Sequence, residues 1–566
     1  MSSQGELPDH LVALPGSGRW AIWRTVCVRG AGFPSDGVLR IADAACAAAA
    51  DRRIAADGEA EETRQAALAA LRGELDGAAG ERRNPQRLDL LIKALRKVKR
   101  QQPAATEGLA AATVAALAAW REAAGRAEAE RLRYQADFMA AEERLDRTLR
   151  EVAGDARFRE AVLWQNRHAA ETGLASFLRR PAGAGKGSAR DRGHAQMLAS
   201  YLQRYCVKND SIGFFGPVGW AQLGTGDEVI AVQPGEDLLA TRDVFFEGWT
   251  IDAVADRLAE DPAMRPWLAP RRSPFLRQEG NVFIAPGGQR MELGPLTGAL
   301  LAACDGTRPA RDLMRGLAAA LGGEIPPDKE AFLWSFLADL HAKGAIRWGF
   351  QIPLSLTPER TLRELLLAIE DAPLREGALV VLDDLLAKRD AVARAAGHPE
   401  ELGHALADLE ATFVRASGRP SATRAEGQLY AGRTLVFEDC RRDLGLQLGA
   451  GFLAELAPAL SLVLDGARWF THHLEADHRR VFLETHAELS AQAGSAEVNL
   501  IAFTQVAMRR LVNAATHERL RQELQARWAR VLALPPGERR VHFRSEDLRP
   551  LADREFAAPG PGWQKA

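Results

Sequence analysis

The sequence lacks paired cysteines and long uncharged apolar runs. Its five cysteines, Cys27, Cys46, Cys206, Cys304 and Cys440, stand singly without a CxxC pair, so neither a disulfide framework nor a zinc site is predicted. The N-terminus has no basic segment followed by an apolar run, and no stretch of about 18 uncharged apolar residues occurs. A cytoplasmic protein without a membrane span is therefore expected.

The chain also lacks an excess of either charge. Its 566 residues include 73 Lys and Arg against 75 Asp and Glu, a net charge of −2. This bulk balance indicates neither a nucleic-acid-binding protein nor an acidic tail. Apolar residues make up 47% of the chain, and its length predicts roughly two to four domains with ample material for their cores.

Proline is nearly absent between residue 36 and about residue 180, where only Pro85 and Pro103 occur. Alanine, leucine, glutamate and arginine dominate this block, and apolar residues recur at helical spacing. The pattern predicts a long helical insertion with an antiparallel pair of helices around Pro85. Before it, residues 17 to 30 alternate large apolar and polar residues. They predict a strand with Trp20, Ile22 and Trp23 as candidates for the core.

The most informative stretch runs from residue 201 to residue 220 and reads YLQRYCVKNDSIGFFGPVGW. Arg204 and Lys208 are four residues apart, so on a helix they would project from one face and offer an anion two cationic contacts. The alternative is an ordinary helix end whose cations complement the helix dipole, followed by a buried Phe214 and Phe215 pair.

A turn rich in glycine follows this predicted helix. Asp210 and Ser211 belong to a residue class that stabilises turns by bonding the local backbone. Gly213, Gly216 and Gly219 then recur at a spacing of three. Glycine lets a backbone approach another group closely, so the turn is a candidate for contact with a ligand.

Residues 201 to 220 resemble the lantibiotic dehydratase family, which typically reads R-F-x-x-R-x-T-P-F-G-x-F-A-G here. The matching residues, aligned without gaps, are Arg204, Tyr205, Cys206, Lys208, Gly213 and Phe215. The actinobacterial-type branch is closer still, with the wording YCxKNDxIGFFGPVGW. The resemblance implies an N-terminal glutamylation domain. Such a domain passes glutamate from glutamyl-tRNA to Ser or Thr of a ribosomally made precursor peptide, before elimination leaves a dehydroamino acid.

Arg204, Lys208 and Ser211 are the predicted catalytic residues under this resemblance. The two cations would hold the phosphate end of the tRNA or the glutamate carboxylate. Lys208 stands where the family usually has arginine, so a point charge replaces a bidentate fork. Asp210 stands where the family commonly has threonine. Because an acid there would repel an anion, Ser211 is the candidate for the hydroxyl role.

Further candidates for substrate or tRNA binding lie downstream. They are Asp210, Glu247, Arg433, Asp439, Arg441 and Arg442. Glu247 is close to Trp249, where the family often carries an acidic residue, although a solvated first-turn acid is the alternative. Arg433 precedes a predicted strand, TLVFEDC, Asp439 lies near its end, and Arg441 and Arg442 follow it before the predicted helices. Charged residues at such a strand end are often functional. A surface ion-pair network is the alternative for these four residues.

Residues 271 to 353 form a predicted winged-helix-like module of strand-like runs, three helices and a closing strand. Its spacing resembles the peptide-recognition element of enzymes that modify ribosomally made peptides. The third helix, FLWSFLADLHAKG, has Lys343 as its only Lys or Arg, whereas a DNA-reading helix carries several. Capture of a leader peptide along a strand edge is therefore favoured over DNA binding, with a purely structural module as the third option.

Neither a metal nor a bound cofactor is expected. His472, His473, His478 and His486 lack the HExxH spacing and do not share one helix face well. The glycine-rich stretch RRPAGAGKGSARDRG lacks the spacing of a phosphate-binding loop. Glutamyl-tRNA is instead expected as a co-substrate.

The predicted fold class is α+β and predominantly helical, with long helices, small mixed sheets and the embedded module. The predicted domains are residues 1 to 270, which include the insertion at about 36 to 180, then 271 to 353 and 354 to 566. Because family members with a complete glutamylation domain are generally longer, the chain is expected to be part of a split enzyme, a truncated protein or a member that only binds.

Alternative functions stay open at this point. One is the tRNA-dependent addition of an amino acid to a peptide C-terminus. Another is a non-catalytic scaffold that binds a leader peptide. The expected partners are a precursor peptide, whose leader the 271 to 353 module would bind, and a tRNA. A separate elimination protein and a homodimer are left open.

Overall fold

The computed structural model describes residues 7–17, 20–80, 85–181, 188–208, 213–224, 226, 228–285, 289–421, 434–513 and 515–558. These residues are predominantly helical and include small mixed sheets, which confirms the predicted α+β class. The strands are β1 (Leu11–Ala13), β2 (Ala21–Trp23), β3 (Thr25–Arg29), β4 (Val218–Leu223), β5 (Ile230–Phe246), β6 (Pro270–Arg272), β7 (Arg277–Glu279), β8 (Val282–Ile284), β9 (Arg290–Glu292), β10 (Ile346–Trp348) and β11 (Val436–Leu448).

Helices follow one another over most of the remaining length. They are α1 (Ala44–Gly80), α2 (Pro85–Lys99), α3 (Ala111–Gly154), α4 (Ala156–Gln165), α5 (Ala175–Arg179), α6 (Ala189–Val207), α7 (Gly248–Ala259), α8 (Pro295–Ala303), α9 (Ala310–Ala320), α10 (Pro327–Ala342), α11 (Pro358–Leu367), α12 (Ala372–Ala395), α13 (Pro399–Ser417), α14 (Ala450–Ala493), α15 (Leu500–Asn513), α16 (Thr516–Leu532) and α17 (Ser545–Glu555). Short 3-10 segments occupy Ser35–Ile41 and Arg265–Trp267, and a π segment occupies Ala169–Leu174.

The chain divides into two compact units. The sheet unit comprises Met1–Gly30, Ile212–Arg394 and Ala405–Ala566, and the helical unit comprises Ala31–Ser211 and Ala395–His404. Residues 201 to 220 are therefore shared between the units, with the change of unit after Ser211. The domain boundaries at residues 270 and 353 stay predictions.

In the helical unit, α1 and α3 run antiparallel. Arg52 of α1 pairs with Glu130 of α3 at 3.5 Å. Glu59, further along α1, pairs at 2.6 Å with Arg126, which comes earlier in α3. The shared core with α2 consists of Ala67, Leu68, Leu71, Leu91, Ala94, Val98, Ala104, Leu117 and Trp120.

The long helices predicted for this block are confirmed, and α2 begins at Pro85, a residue suited to the first helical position. The pair of helices predicted around Pro85 is present, since α1 and α2 share a core and Arg87 of α2 pairs with Glu74 of α1 at 3.0 Å. The structure adds a longer partner for α1, which has 37 residues, in the antiparallel α3, which has 44 residues. Because α2 has only 15 residues, it covers part of the groove between them.

The sheet unit is built on a four-stranded sheet in the order β3, β4, β11 and β5. β4 and β11 are parallel, and the other neighbouring pairs are antiparallel. One face of this sheet packs against α14. The core on that side includes Leu14, Ala221, Leu223, Leu448, Leu453 and Ala457.

The strand predicted for residues 17 to 30 is present as β2 and β3, which are separated at Arg24. Trp20 and Ile22 pack against the core below the sheet, as predicted. The prediction for Trp23 is wrong, because its side chain is 67% exposed. Strand side chains alternate between faces, so Trp23 lies opposite Ile22 and contacts His10 instead, with ring centroids 5.1 Å apart.

The length of β11 differs from the prediction for this strand. The charged run at Arg441 and Arg442 was expected to end a strand, but β11 continues through it and pairs with β5 up to Leu448. The helix α14 begins only at Ala450. Register shifts on either side of Arg442 absorb the charged run as bulges. Local composition was misleading here because pairing on both sides overrides strand propensity.

The elements of the predicted winged-helix-like module occur in the expected order. A three-stranded sheet of β7, β8 and β9 precedes α8, α9 and α10, and β10 then pairs with β6. The helix α10 buries Leu333, Leu337 and Leu340. On its exposed side, Lys343 pairs with Asp339 at 2.6 Å.

Among the described residues, one helix, α14, is long and apolar enough to cross a membrane by length and composition. The sequence analysis did not find it because Glu455 and Asp465 interrupt the apolar run. Asp465 is buried and accepts hydrogen bonds from Trp20 at 3.1 Å and Arg549 at 2.7 Å.

Candidate functional site

The helix α6 positions Arg204 in the helical unit. Ser188 and Asp191 form a capping box at its start, which satisfies free backbone N–H groups. The helix ends at Val207. Arg204 is half-buried in the last turn, whereas Lys208 is an exposed cap residue with an extended backbone, φ −107° and ψ 138°.

The expectation that both cations lie within one helix is therefore wrong for Lys208. Its N–H still donates to the Arg204 carbonyl at 3.1 Å, so the two residues remain one turn apart at the helix end. Asp210, Ser211 and Arg433 lie outside the described residues. Their predicted roles stay predictions.

Aromatic side chains pack beside Arg204 on the buried side of α6. Tyr205 stacks on Tyr201 and on Phe33, with ring centroids 5.8 Å and 5.5 Å apart, and meets Phe158 edge-on at 5.7 Å. Burial raises the pKa of Tyr205 well above 10.0, and the nearby Arg204 charge opposes this increase. The cluster anchors the last turn of α6, which carries Arg204, in the core of the helical unit.

In the sheet unit, the turn after residue 212 is fixed by a buried carboxylate. Glu438 of β11 is 3% exposed, and its Oε2 accepts a hydrogen bond from the Phe214 backbone N–H at 3.0 Å. The Arg242 guanidinium of β5 donates to the other carboxylate oxygen of Glu438. Arg242 also lies over the Phe214 ring, 5.0 Å from its centroid.

Gly213 is required by this arrangement. Its φ is +80°, a conformation that side chains with a Cβ rarely adopt, and an added Cβ would lie 3.0 Å from Glu438 Oε2. Gly216 closes the turn by donating to the Gly213 carbonyl at 3.0 Å. Phe214 and Phe215 are buried, as the alternative for this segment expected.

The outer face of the four-stranded sheet brings several candidates together. Asp439 and Arg441 are both exposed and lie on one face of β11. Arg441 is the cross-strand partner of Val218, two residues before Trp220 on the same face of β4. Trp220 is 51% exposed. A cation, a carboxylate and an open indole therefore share one solvent-facing surface.

The segment that contains these elements matches a known protein family. Residues 154–490 match the family profile described as Lantibiotic dehydratase, N terminus. The chain belongs to this family. Its match includes α6, the Gly213 turn and β11, while α1, α2 and nearly all of α3 precede it.

Solved structures share the fold at low identity. The glutamylation domain TbtB from thiomuracin biosynthesis aligns with 18% identity and a TM-score of 0.54, over 93% of this chain and 65% of that chain. The same domain bound to 5'-phosphodesmethylglutamycin gives 17% identity and a TM-score of 0.55, with the same coverage. This chain thus spans 65% of the length of those structures.

A further structure is the tRNA-dependent lantibiotic dehydratase MibB from Microbispora sp. 107891. It aligns with 19% identity and a TM-score of 0.43, over 57% of this chain and 30% of that chain. No curated protein matches the sequence.

Within the family-matching region, Arg442 lies apart from the outer sheet face. Arg442 is directed to the other side of β11, where a Cβ added at Gly219 would be 3.7 Å from the Arg442 Cβ. Arg442 is therefore on the other side of β11 from Asp439 and Arg441. Glu247 occupies the N-cap position of α7, and its N–H donates to the Leu435 carbonyl at 2.9 Å.

Sequence reasoning missed Glu438 and Arg242. The available signal was the alternation in VFEDC, which places Glu438 on the same face as the buried Val436 and Cys440. An acid on the inner face of a strand requires a partner. That partner, Arg242, is 196 residues away in sequence, so only the fold identifies it.

No metal centre can be assigned in the part of the chain that the structure describes. No three His, Cys, Asp or Glu side chains come together there as a metal site would require. His472 and His473 of α14 face each other at 5.2 Å, and burial lowers the pKa of His473.

Proposed function

We propose that this protein transfers glutamate from glutamyl-tRNA to Ser or Thr side chains of a ribosomally made precursor peptide, before elimination of the glutamate. The observation that carries the proposal is the family match over residues 154–490, which contains the Arg204 helix end and the Gly213 turn. The similarity in fold to the TbtB glutamylation domain supports it.

The reaction is an ester exchange. The precursor hydroxyl attacks the carbonyl carbon of glutamyl-tRNA, a new C–O bond forms to Ser or Thr, and the C–O bond to the terminal ribose breaks. The proton of the attacking hydroxyl ends on the ribose oxygen. Because the acyl group arrives already activated, catalysis depends mainly on positioning and charge stabilisation.

Arg204 and Lys208 have the chemistry that this reaction needs at an anion. A guanidinium on a helix end that is packed against aromatic side chains can bind a phosphate or the glutamate carboxylate with directed hydrogen bonds. Lys208, which is exposed, adds a mobile point charge. The roles proposed for Asp210 and Ser211 follow from the family resemblance of residues 201 to 220.

The module at residues 271 to 353 is the proposed binding site for the leader peptide. Among the described strands, β7 and β9 pair only with β8, and each is an edge of the three-stranded sheet. An edge strand can accept an extended peptide as an additional strand, with main-chain hydrogen bonds giving affinity.

The proposed setting is the cytoplasm, because aminoacyl-tRNA is available there. No cofactor is needed for the ester exchange, so glutamyl-tRNA is the proposed co-substrate. A separate elimination protein would complete the dehydration. A homodimer remains a further proposal.

The test combines the purified protein, glutamyl-tRNA and a precursor peptide encoded beside its gene. Intact-mass and fragment-ion measurements should show a glutamyl group on an internal Ser or Thr, and ribonuclease treatment should abolish it. An amino acid added at the peptide C-terminus would favour the alternative transferase. Leader binding without any tRNA-dependent mass change, even with an elimination protein present, would favour the scaffold.

A further inference from the structure

A stripe of positive charge runs along the exposed side of α2. The cationic stripe consists of Lys93, Arg96, Lys97 and Arg100, which follow the i, i+3, i+4, i+7 spacing of one helix face. All four residues are exposed. Arg100 continues the last turn, because its N–H donates to the carbonyls of Arg96 and Lys97 at 3.2 Å and 3.0 Å.

The core fixes the direction of this stripe. Leu91, Ala94 and Val98, on the opposite side of α2, are buried in the core shared with α1 and α3. Each is at most 4% exposed. Rotation of α2 that buried the cations would expose these residues, so the stripe is held toward solvent.

The charges of the stripe are largely uncompensated. Lys93 pairs with Asp89 at 2.7 Å, but within the described ranges Arg96, Lys97 and Arg100 take part in no ion pair. The neighbouring helix α3 behaves differently, since its exposed Arg126 is paired with glutamates. Bulk composition does not account for the contrast.

Lysine is concentrated on α2 relative to the rest of the chain. The whole chain has nine lysines, and three of them, Lys93, Lys97 and Lys99, fall within seven residues of α2. The net charge of the chain is −2, so this concentration does not follow from a generally basic protein. Surface cations without partners repel one another, and a polyanion would relieve that repulsion.

We propose that the cationic stripe binds the phosphate backbone of a structured RNA, namely the body of the tRNA that delivers the amino acid. This inference rests on the proposed function for the identity of the RNA. At a rise of about 1.5 Å per residue, the stripe is about 10 Å long, enough to follow consecutive phosphates. Lys and Arg contacts to phosphates give affinity without sequence specificity, which suits recognition of the body of a tRNA.

A membrane surface is a poorer fit for the same charges. A helix that lies on a membrane needs an apolar face that it can insert beside its cations. The apolar face of α2 is already in the protein core. Among the described large apolar residues of α2, only Ile92 is exposed, at 37%.

The position of the stripe also defines its role. α2 precedes residues 154–490, the region that matches the family. We therefore expect the stripe to hold tRNA and not to contact the reacting ester. Loss of the stripe should weaken tRNA binding and raise the KM for tRNA, with little change in kcat.

The test uses the full chain with Lys97→Glu and Arg100→Glu together. Arg539→Glu with Arg540→Glu is the matched control, because these residues are exposed and the net charge changes equally. Binding of purified tRNA is measured by fluorescence anisotropy from about 50 mM to about 200 mM salt. We expect about tenfold weaker binding for the α2 variant, and a salt dependence that is shallower by nearly two released ions. The control should bind within about twofold of the wild type.

Equal binding by the α2 variant and the control would overturn the proposal. So would binding of the wild type to anionic lipid vesicles in place of tRNA. If charge reversal disturbs folding, the neutral variant Lys97→Gln with Arg100→Gln replaces it. Circular dichroism checks that this variant is folded. If tRNA binding depends on the stripe but no glutamate is transferred, the proposal that the stripe binds tRNA is supported and the proposed function is contradicted. If transfer occurs and the α2 variant has an unchanged KM for tRNA, the proposed function is supported and tRNA binding by the stripe is contradicted.

Discussion

The helical bundle of α1, α2 and α3 and the four-stranded sheet around β11 are stabilised in different ways. The bundle relies on apolar residues between positions 67 and 120, with ion pairs at its surface. The sheet has an apolar core against α14 and, in addition, a buried carboxylate. Glu438 bonds Phe214, 224 residues away, and Arg242, 196 residues away.

This difference follows the boundary of the family match. The sheet and its Gly213 turn lie inside residues 154–490, whereas the bundle lies almost entirely before them. A buried ion pair stabilises little over a well-packed apolar pair, yet breaking it is costly. The sheet is therefore expected to be sensitive to single polar substitutions, and the bundle to changes in packing.

Glu438→Ala should have the largest effect on stability. It leaves Arg242 and the Phe214 N–H without the carboxylate, and removal of one partner of a buried pair costs about 3–5 kcal/mol. Denaturant unfolding measures the loss, and hydrogen exchange should locate it in β11 and not in α1 or α3. The neighbouring exposed Asp439→Ala is the control, expected within about 0.5 kcal/mol of wild type. Equal effects of the two substitutions would contradict the buried role.

Leu91→Ala should destabilise the helical bundle and leave the sheet unchanged. Leu91 is fully buried in the bundle core, so truncation leaves a cavity and costs about 3 kcal/mol. Faster hydrogen exchange is expected in α1, α2 and α3, with β11 unchanged. Ile92→Ala, one position away and partly exposed, should cost much less. Loosening of the sheet by Leu91→Ala would show that the two regions are not energetically separate.

Gly213→Ala should destabilise the turn by about 1–2 kcal/mol, because alanine is strained at a positive φ. Its added Cβ would also press on the Glu438 carboxylate at 3.0 Å. Gly219→Ala is the matched control, since a Cβ there meets its nearest neighbour at 3.7 Å. Thermal unfolding of both variants measures the difference. Identical melting temperatures would mean that the turn has relaxed away from Glu438.

The aromatic cluster on α6 should make the stability of the protein depend on pH in the alkaline range. Burial raises the folded-state pKa of Tyr205 well above 10.0, so the unfolded chain loses this proton first as pH rises. The stability contributed by the neutral hydroxyl is complete below about pH 10 and is lost at higher pH. Tyr205→Phe should remove this contribution to the decrease in unfolding free energy at high pH. Urea unfolding at pH 9 and above measures it. An identical pH dependence in the variant would refute the assignment.

The sequence predicted those features that depend on local patterns. The α1 to α3 helices follow from apolar spacing, and the start of α2 follows from Pro85. The end of β11 was misplaced because pairing with β4 and β5, distant in sequence, carries the strand through Arg441 and Arg442.

The candidate site shows the same limit. Arg204 was found as a residue at the end of a helix, and Asp439 and Arg441 were found as charged neighbours of a strand. Their common exposed surface with Trp220 could not be predicted, because it depends on the register of β4 against β11. The support for Arg204 was also missed, since Phe33 and Phe158 reach Tyr205 from other segments.

Single-turnover transfer of labelled glutamate from tRNA to the precursor peptide tests the roles of Arg204 and Lys208 most directly. The variant with both Arg204→Ala and Lys208→Ala is compared with wild type. Arg539→Ala with Arg540→Ala controls for lost charge. The proposed function predicts that the first variant loses transfer while its circular dichroism spectrum and leader-peptide binding are unchanged, and that the control transfers normally. Transfer at the wild-type rate by the Arg204 and Lys208 variant would contradict the assignment of the site.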